Sequence, residues 1–340
     1  MTETVLNKLL NNLQIGKQKI PRQKVDLIET HISYLILLKH DVYKLKKTVQ
    51  LPFVDFSELP TRKEACRQEL LLNRRLAPEV YRDVLAVNEV DGHMVIGGEK
   101  GKTIDYAVWM RRIDNALEMD RLLESEEVKD SQIDSLARLI AAFHQESKPI
   151  HKVWEADQLI ATFNQIKEWY RFAESALGHT YAELIDRSCQ ASDVFITHHI
   201  DELNQRSRRG FVRDLHGDLH SHNIFLTKPP VVFDCIEFDE DLRQIDVLNE
   251  IAFFLMDLEY YEAYALADLF ITRYHTYLSG TDLEQAMDDR LLLYFKMYRA
   301  AVRAKVLMIS VQNSPGEKEN HLNEVRRYFD LVESYLDQLT

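Results

Sequence analysis

At 340 residues, with 46% hydrophobic and 29% charged side chains, the chain has the length for one large two-lobed domain or two ordinary ones, and the apolar content to fill their cores. A formal net charge of −13 argues against nucleic acid as a general partner, and no apolar run of about 18 residues is present to suggest a membrane span. Three cysteines, Cys66, Cys189 and Cys235, are too few and too scattered for a disulfide framework or a paired-cysteine metal site. Because the stretch Met1 to Lys19 is polar and helical in pattern rather than a signal peptide, a cytoplasmic location is the expectation.

Residues 29–47, ETHISYLILLKHDVYKLKK, carry β-branched and aromatic residues on both sides of a polar KHD and predict a hairpin. After Pro60, Thr61 and Glu64 read as a capping box opening a helix that stops near Pro78. VLAVNEVDGHMVIGGEKGKTIDYAVWM then predicts two or three strands with turns at Asp91-Gly92 and Gly97-Gly98. From Arg111 onward, apolar residues recur three and four apart. Ile133, Leu136, Ala137, Ile140 and Phe143 define one helix face with Ser131 as its N-cap, and further helices, some broken, are expected over 154–177, 180–206, 246–278, 281–312 and 315–338. Residues 210–238 interrupt them with two short apolar strands and polar loops, the kind of segment where function tends to sit.

Three stretches invite a chemical reading. GGEKGKT at 97–103 ends like a phosphate-binding loop, but Gly97 and Gly101 have three residues between them where four are needed, and a strand-like segment follows where a helix should start. A hairpin turn accounts for it better. HGDLHSH, with His216, Asp218, His220 and His222, is loosely like the ligand loop of a zinc hydrolase, although no paired ligand motif accompanies it. In the third, Asp218 and Asn223 stand five apart and a following strand ends in Asp234, the spacing at which one carboxylate accepts a substrate hydroxyl proton while an amide oxygen and a second carboxylate hold Mg²⁺ against nucleotide phosphates. Loop-turn residues and a strand end would fit the same three positions.

HGDLHSHNIFL followed by VVFDCIEFDEDLRQIDVLNEIAFFLMDL resembles the catalytic segment of the aminoglycoside phosphotransferase-like enzymes, a branch of the protein kinase-like fold. ETHIS, VYKLKK, FVDFS, LNRRLAPEVY and YAVWMRR are similar to an uncharacterised bacterial group within that branch. In some of its members a separate phosphate-loop kinase domain follows, for which a chain of this length is too short. The resemblance implies an α+β, bilobal protein kinase-like fold: an N-lobe over 1–110 with a leading helix, antiparallel strands and one further helix, then a mainly helical C-lobe over 111–340 with the catalytic loop at 213–238. It implies ATP and Mg²⁺ as cofactors, bound between the lobes, and a small-molecule hydroxyl as acceptor. Asp218 matches the catalytic base, Asn223 and Asp234 the metal ligands, and His216 a structural loop histidine. Asp246 matches an aspartate that braces the loop. Lys44 or Lys46 would reach the phosphates with Glu69 as ion-pair partner; Val42, standing where V-A-I-K has its small apolar residue, favours Lys44. Met110 and Arg111 would lie near the adenine.

Two departures leave other readings open. No glycine-rich loop is present, so phosphate contacts would fall to backbone N–H groups and to Thr30, His31 and Ser33, and no D-F-G follows Asp234, where Glu237 is either a second metal contact or part of a solvated acidic turn. A nucleotide-binding pseudokinase or an AMP-transferring enzyme on the same fold is the alternative, and a metal-dependent hydrolase using the histidine-rich loop ranks third.

Overall fold

The computed structural model describes residues 1–51, 54–313 and 318–339. Phe53 of the FVDFS segment and positions 315–317 of the last expected helix therefore lie outside the described residues. Contacts divide the chain into two compact units, Met1–Glu118 with Asn223–Leu242, and Met119–His222 with Arg243–Thr340.

The first unit begins with α1 (Glu3–Asn11), which stops well short of Lys19 because Gln14–Ile15 (β1) and Gln18–Lys19 (β2) turn back on each other through Gly16 at φ 57°. Then come β3 (Asp26–Glu29), β4 (Ser33–Leu37) and β5 (Asp41–Lys46), the last two forming the expected hairpin. A short hairpin, β6 (Gln50–Leu51) and β7 (Val54–Asp55), leads into α2 (Leu59–Asn73). Its N-cap is Glu58 and Pro60 sits in its first turn, so the capping box at Thr61 and Glu64 does not form. Proline suits the first turn because the missing N–H has no intrahelical partner there. β8 (Tyr81–Val90), β9 (His93–Ile96) and β10 (Lys102–Arg111) complete an eight-stranded mixed sheet of order β2-β1-β9-β8-β10-β5-β4-β3. The turns at Asp91-Gly92 and Gly97-Gly98 are where the sequence puts them, and GGEKGKT runs from one strand of the sheet to another with no helix after it.

Both faces of this sheet are covered, which decides how β5 reads. Tyr43 and Leu45 pack with Leu6, Leu9 and Leu10 of α1, whereas Val42 joins Cys66 of α2, Val108 and Met110. Period-two alternation then sets Lys44 and Lys46 on the α2 side with Val42. The inward positions of α2 are Arg62, Cys66, Glu69, Leu72 and Asn73, spaced for one helix face but mostly polar. They stay buried because they are paired: Arg62 donates to Asp105 Oδ1 at 2.9 Å and to the Phe56 and Ser57 carbonyls at 2.8 Å.

The second unit is mainly helical. α3 (Met119–Glu124) precedes α4 (Asp130–Glu146), whose N-cap is Lys129 rather than Ser131. The Lys129 N–H donates to Gln132 Oε1 at 2.9 Å and its carbonyl accepts from the Gln132 N–H, so the cap is closed by the residue after Ser131. Ile133, Leu136, Ala137, Ile140 and Phe143 are buried as expected. α5 (Ala156–Asn164), α6 (Tyr170–Ala176) and the 30-residue α7 (His179–Arg208) lead to β11 (Val212–Asp214). The ribbon of β12 (Ile224–Phe225) and β13 (Val231–Val232) belongs to the first unit. After α8 (Glu240–Arg243), β14 (Gln244–Asp246) pairs with β11, and α9 (Val247–Tyr260), α10 (Tyr264–Leu278), α11 (Asp289–Asn313) and α12 (Lys318–Leu339) close the chain. The stretch expected at 246–278 is thus two helices, broken where Glu262 takes φ 58°. None of the helices is long and apolar enough to cross a membrane, among the described residues.

Candidate active site

In the first unit the charged residues gather around Glu69. Its carboxylate is fully buried and meets Lys44 Nζ at 2.9 Å and Lys46 Nζ at 2.5 Å. Each lysine has a second acidic partner: Lys44 reaches Asp234 Oδ1 at 2.5 Å, and Lys46 reaches Glu237. Burial works against the Glu69 charge, but the two ammonium groups outweigh it and hold its pKa down to about 2. Burial likewise opposes the Lys44 charge, and Asp234 and Glu69 overcome it, so its pKa stays well above the ordinary lysine value. The two lysines differ in what surrounds them. Lys46 and Glu237 are 0% and 5% exposed, whereas the Asp234 carboxylate bonded to Lys44 is 45% exposed.

Asp234 is set by the ribbon. The Phe233 N–H donates to the Asn223 carbonyl at 3.0 Å, extending the β12–β13 pairing and bringing Asn223 and Asp234 to the same end. Asp234 then takes φ 64°, a left-handed conformation costing about 1 kcal/mol for a residue with a Cβ. It is kept there by its N–H, which donates to the Tyr81 hydroxyl at 3.2 Å, and by the Cys235 N–H, which donates to Asn73 Oδ1 at 2.9 Å. Burial pushes the Tyr81 hydroxyl well above its ordinary pKa, so it remains protonated beside Asp234. Elsewhere on this unit, Thr30 and His31 are exposed in the β3–β4 turn, Met110 is buried and Arg111 exposed at the end of β10. Ser33 pairs with Lys46 across β4 and β5, and its Oγ is buried without a hydrogen-bond partner among the described residues.

In the second unit the histidine-rich loop is held by its backbone. Glu250 of α9, fully buried, accepts from the N–H groups of His216 and Gly217, both at 2.7 Å, through one carboxylate oxygen. Its other oxygen meets His144 Nε2 at 2.8 Å, and His144 Nδ1 meets the Tyr274 hydroxyl at 2.7 Å. With Glu250 ionised, the Nε2 that faces it donates. Burial opposes the Glu250 charge, yet the His144 contact and the loop N–H groups hold its pKa below the usual carboxylate range. Arg299 Nη1 donates to the Gly217 carbonyl at 3.2 Å, and the Ser221 N–H donates to Asp257 Oδ2 at 2.7 Å. Gly217 itself sits at φ 86°, which explains a glycine at this position.

Two of the three histidines meet Asp218, at different atoms, and the third meets Asp120. His216 Nδ1 accepts the Asp218 N–H at 3.3 Å, His220 Nε2 lies 3.3 Å from Asp218 Oδ2, and His222 Nδ1 lies 3.0 Å from Asp120 Oδ2. Among the described residues no group of three His, Cys, Asp or Glu side chains is arranged to hold a metal ion, so the zinc-hydrolase geometry is not formed. Asp218 is partly exposed; burial raises its pKa, but His220, Arg303 and His216 bring it well below the ordinary value. Asp246 caps α9 by accepting the Leu248 N–H at 2.9 Å and takes Arg206 in a two-pronged pair at 2.7 and 2.9 Å. The side chains that grip the loop, Glu250, Asp257 and Arg299, were not singled out from the sequence. The signal was there: Glu250 and Asp257 are acids among the mostly apolar residues of α9, and a buried acid needs a partner.

A curled mixed sheet bearing a Lys–Glu pair, followed by a mostly helical portion with a backbone-clasped loop, defines a protein kinase-like fold. A glucosamine kinase solved in complex with glucosamine, ADP and inorganic phosphate shares it, with a TM-score of 0.54 and 17% identity over 93% of this chain and 82% of that one. So does a choline kinase from Cryptosporidium parvum Iowa II, with a TM-score of 0.54 and 14% identity over 99% and 96% of the two chains. More narrowly, the chain belongs to the phosphotransferase enzyme family, which matches residues 40–286. Uncharacterised proteins of Mycobacterium tuberculosis and Mycobacterium bovis are 27% identical to it over 311 residues, or 89% of this chain. The chain spans 58% of the length of these curated relatives.

Proposed function

We propose that the chain is an ATP- and Mg²⁺-dependent kinase that phosphorylates a hydroxyl of a small molecule. The observation that carries this reading is Lys44, held between buried Glu69 and the half-exposed carboxylate of Asp234. It favours Lys44 over Lys46 as the phosphate-binding lysine, because Lys46 is fully buried against Glu237. The same pairing makes Glu237 a structural counter-charge rather than a metal contact. The residues fit the cofactor: Asp234 and Asn223 stand at one end of the ribbon and offer the hard oxygen donors that Mg²⁺ takes, and the orphaned Ser33 Oγ adds a polar atom on the lysine face. Mg-ATP supplies the phosphoryl group, and the cation offsets negative charge on its oxygens.

Within this reading, Lys44 binds the phosphates, Asp234 and Asn223 hold the cation, and Met110 and Arg111 lie near the adenine. Asp218 orients the acceptor hydroxyl and takes its proton, while Glu250, Asp257 and Arg299 keep the loop in register. The glucosamine kinase of the same fold, crystallised with ADP and a small hydroxylated sugar, supports both a nucleotide and an acceptor of that size. A thermal shift with ATP, with and without Mg²⁺, followed by ADP release across sugars, amino alcohols and aminoglycosides, tests the proposal. Mg²⁺-dependent stabilisation that disappears in Asp234→Ala is expected. No stabilisation by ATP would overturn the kinase reading. The pseudokinase alternative rests on the β3–β4 turn, Thr30–Ile32, which has no glycine to approach phosphates closely; stabilisation by ATP without ADP release from any acceptor would favour it.

A further inference from the structure

The imidazoles of His216 and His220 touch different parts of Asp218. His216 Nδ1 takes the backbone N–H, which holds the main chain, whereas His220 Nε2 lies at the carboxylate. We propose that His220 is the positioning residue of Asp218: its Nε2–H donates to Oδ2 and fixes the plane in which the carboxylate meets an acceptor hydroxyl. This rests on Asp218 being the base of the kinase reading above.

Chemistry and packing support it together. An ionised carboxylate only accepts hydrogen bonds, so the 3.3 Å contact requires the proton on Nε2. A carboxylate alone turns readily about its last torsion, which has broad minima. His220 is equipped to stop that rotation because it cannot move itself. It is 5% exposed, its ring leans on buried Phe253 of α9 at 5.3 Å, and the His222 ring stands edge-on to it at 5.5 Å. His222 lies at Asp120, and His220 lies at the Asp218 carboxylate. During transfer the acceptor oxygen bonds to phosphorus, the bond from phosphorus to the leaving nucleotide oxygen breaks, and the hydroxyl proton ends on Asp218. His220 keeps its own proton throughout.

The test separates donor from bulk. His220→Phe keeps a ring against Phe253 but removes the N–H, and His220→Gln returns a donor at about the reach of Nε2. A misaimed reacting group costs on the order of 10- to 100-fold. His220→Phe is therefore expected to lower kcat by about that factor, with KM for ATP and Tm unchanged, and His220→Gln to recover most of it. The titratable and charged groups facing Asp218 are His216 and His220 from its own loop and Arg299 and Arg303 from α11, while α9 presents Glu250 behind the loop backbone and Asp257 beneath Ser221. Removing His220 from that set takes away a group that favours the ionised carboxylate, so the acid limb of kcat should move to higher pH. Wild-type kcat and an unmoved profile in His220→Phe overturn the proposal, as does an equal loss in Phe and Gln. Imidazole ¹⁵N spectra of the full chain need no turnover: Nε2 of His220 should carry a proton, and its resonance should move in Asp218→Asn. An unprotonated Nε2 or an unmoved resonance overturns the proposal. A chain that shows this coupling yet phosphorylates no acceptor supports the His220 contact and refutes the kinase reading instead.

Discussion

The two units partner their buried carboxylates by different means. In the first, Glu69 and Glu237 meet lysine side chains, and Lys44 extends the cluster to the partly exposed Asp234. In the second, Glu250 and Asp257 are satisfied largely by backbone N–H groups of the loop, with His144 as an added partner. Side-chain ion pairs can exchange partners, so Asp234 and Lys44 can turn from one another to the charges of a ligand. Backbone clasps cannot be exchanged without moving the loop. The first arrangement suits binding, and the second suits holding a reacting group still.

The sharpest break in that contrast should come at the loop. Asp218→Asn is expected to slow phosphoryl transfer by about 10²- to 10⁴-fold while sparing nucleotide binding; single-turnover kinetics and ATP titration check it, and unchanged turnover would remove Asp218 as base. Next in size, Glu250→Ala leaves two buried loop N–H groups and His144 without their acceptor. It should cost about 3 kcal/mol or more of stability in denaturant unfolding. Were it to cost less than about 1 kcal/mol, the clasp would not be holding the loop.

The lysines sharpen the other half. Lys46→Met takes from buried Glu237 its lysine partner, leaves Glu69 with Lys44, and should destabilise by about 3 kcal/mol, with much of the loss recovered in Lys46→Met/Glu237→Gln. Lys44→Met should weaken ATP binding about tenfold or more at a smaller cost in stability, because its partner Asp234 is half in water. If the two variants exchanged these phenotypes, the roles assigned to the lysines would be reversed.

The smallest effect is on acid stability. The Glu69 pKa is depressed in the folded chain, so its contribution is fully present above the ordinary glutamate range and is lost as pH falls towards about 2. Glu69→Gln should therefore flatten the fall in unfolding free energy between about pH 5 and pH 2. An unchanged slope would mean that Glu69 titrates alike in the folded and unfolded chain.

Much of the candidate site was legible as a set of residues because they are close in sequence or share a simple period. Asp218, Asn223 and Asp234 lie within one loop and ribbon, and alternation alone puts Lys44 and Lys46 on one face. The local rules failed where a neighbour decides. Thr61 and Ser131 are good caps by type, yet α2 starts before the one and Gln132 closes the cap of α4 beside the other. Glu250 and Asp257 went unnoticed because an acid on an apolar helix has no identifiable partner until the fold brings the loop to it.

By itself the sequence determined the strands and helices, the family, and which acids and lysines are candidates for chemistry, since all of these follow from periodicity and short-range spacing. Only the tertiary structure set Lys44 beside the half-exposed Asp234, gave Glu237 to Lys46, and gave the loop backbone to Glu250. Those choices depend on distances between residues separated by 25 to 191 positions in the chain, and on which of two equivalent faces the packing leaves open to water.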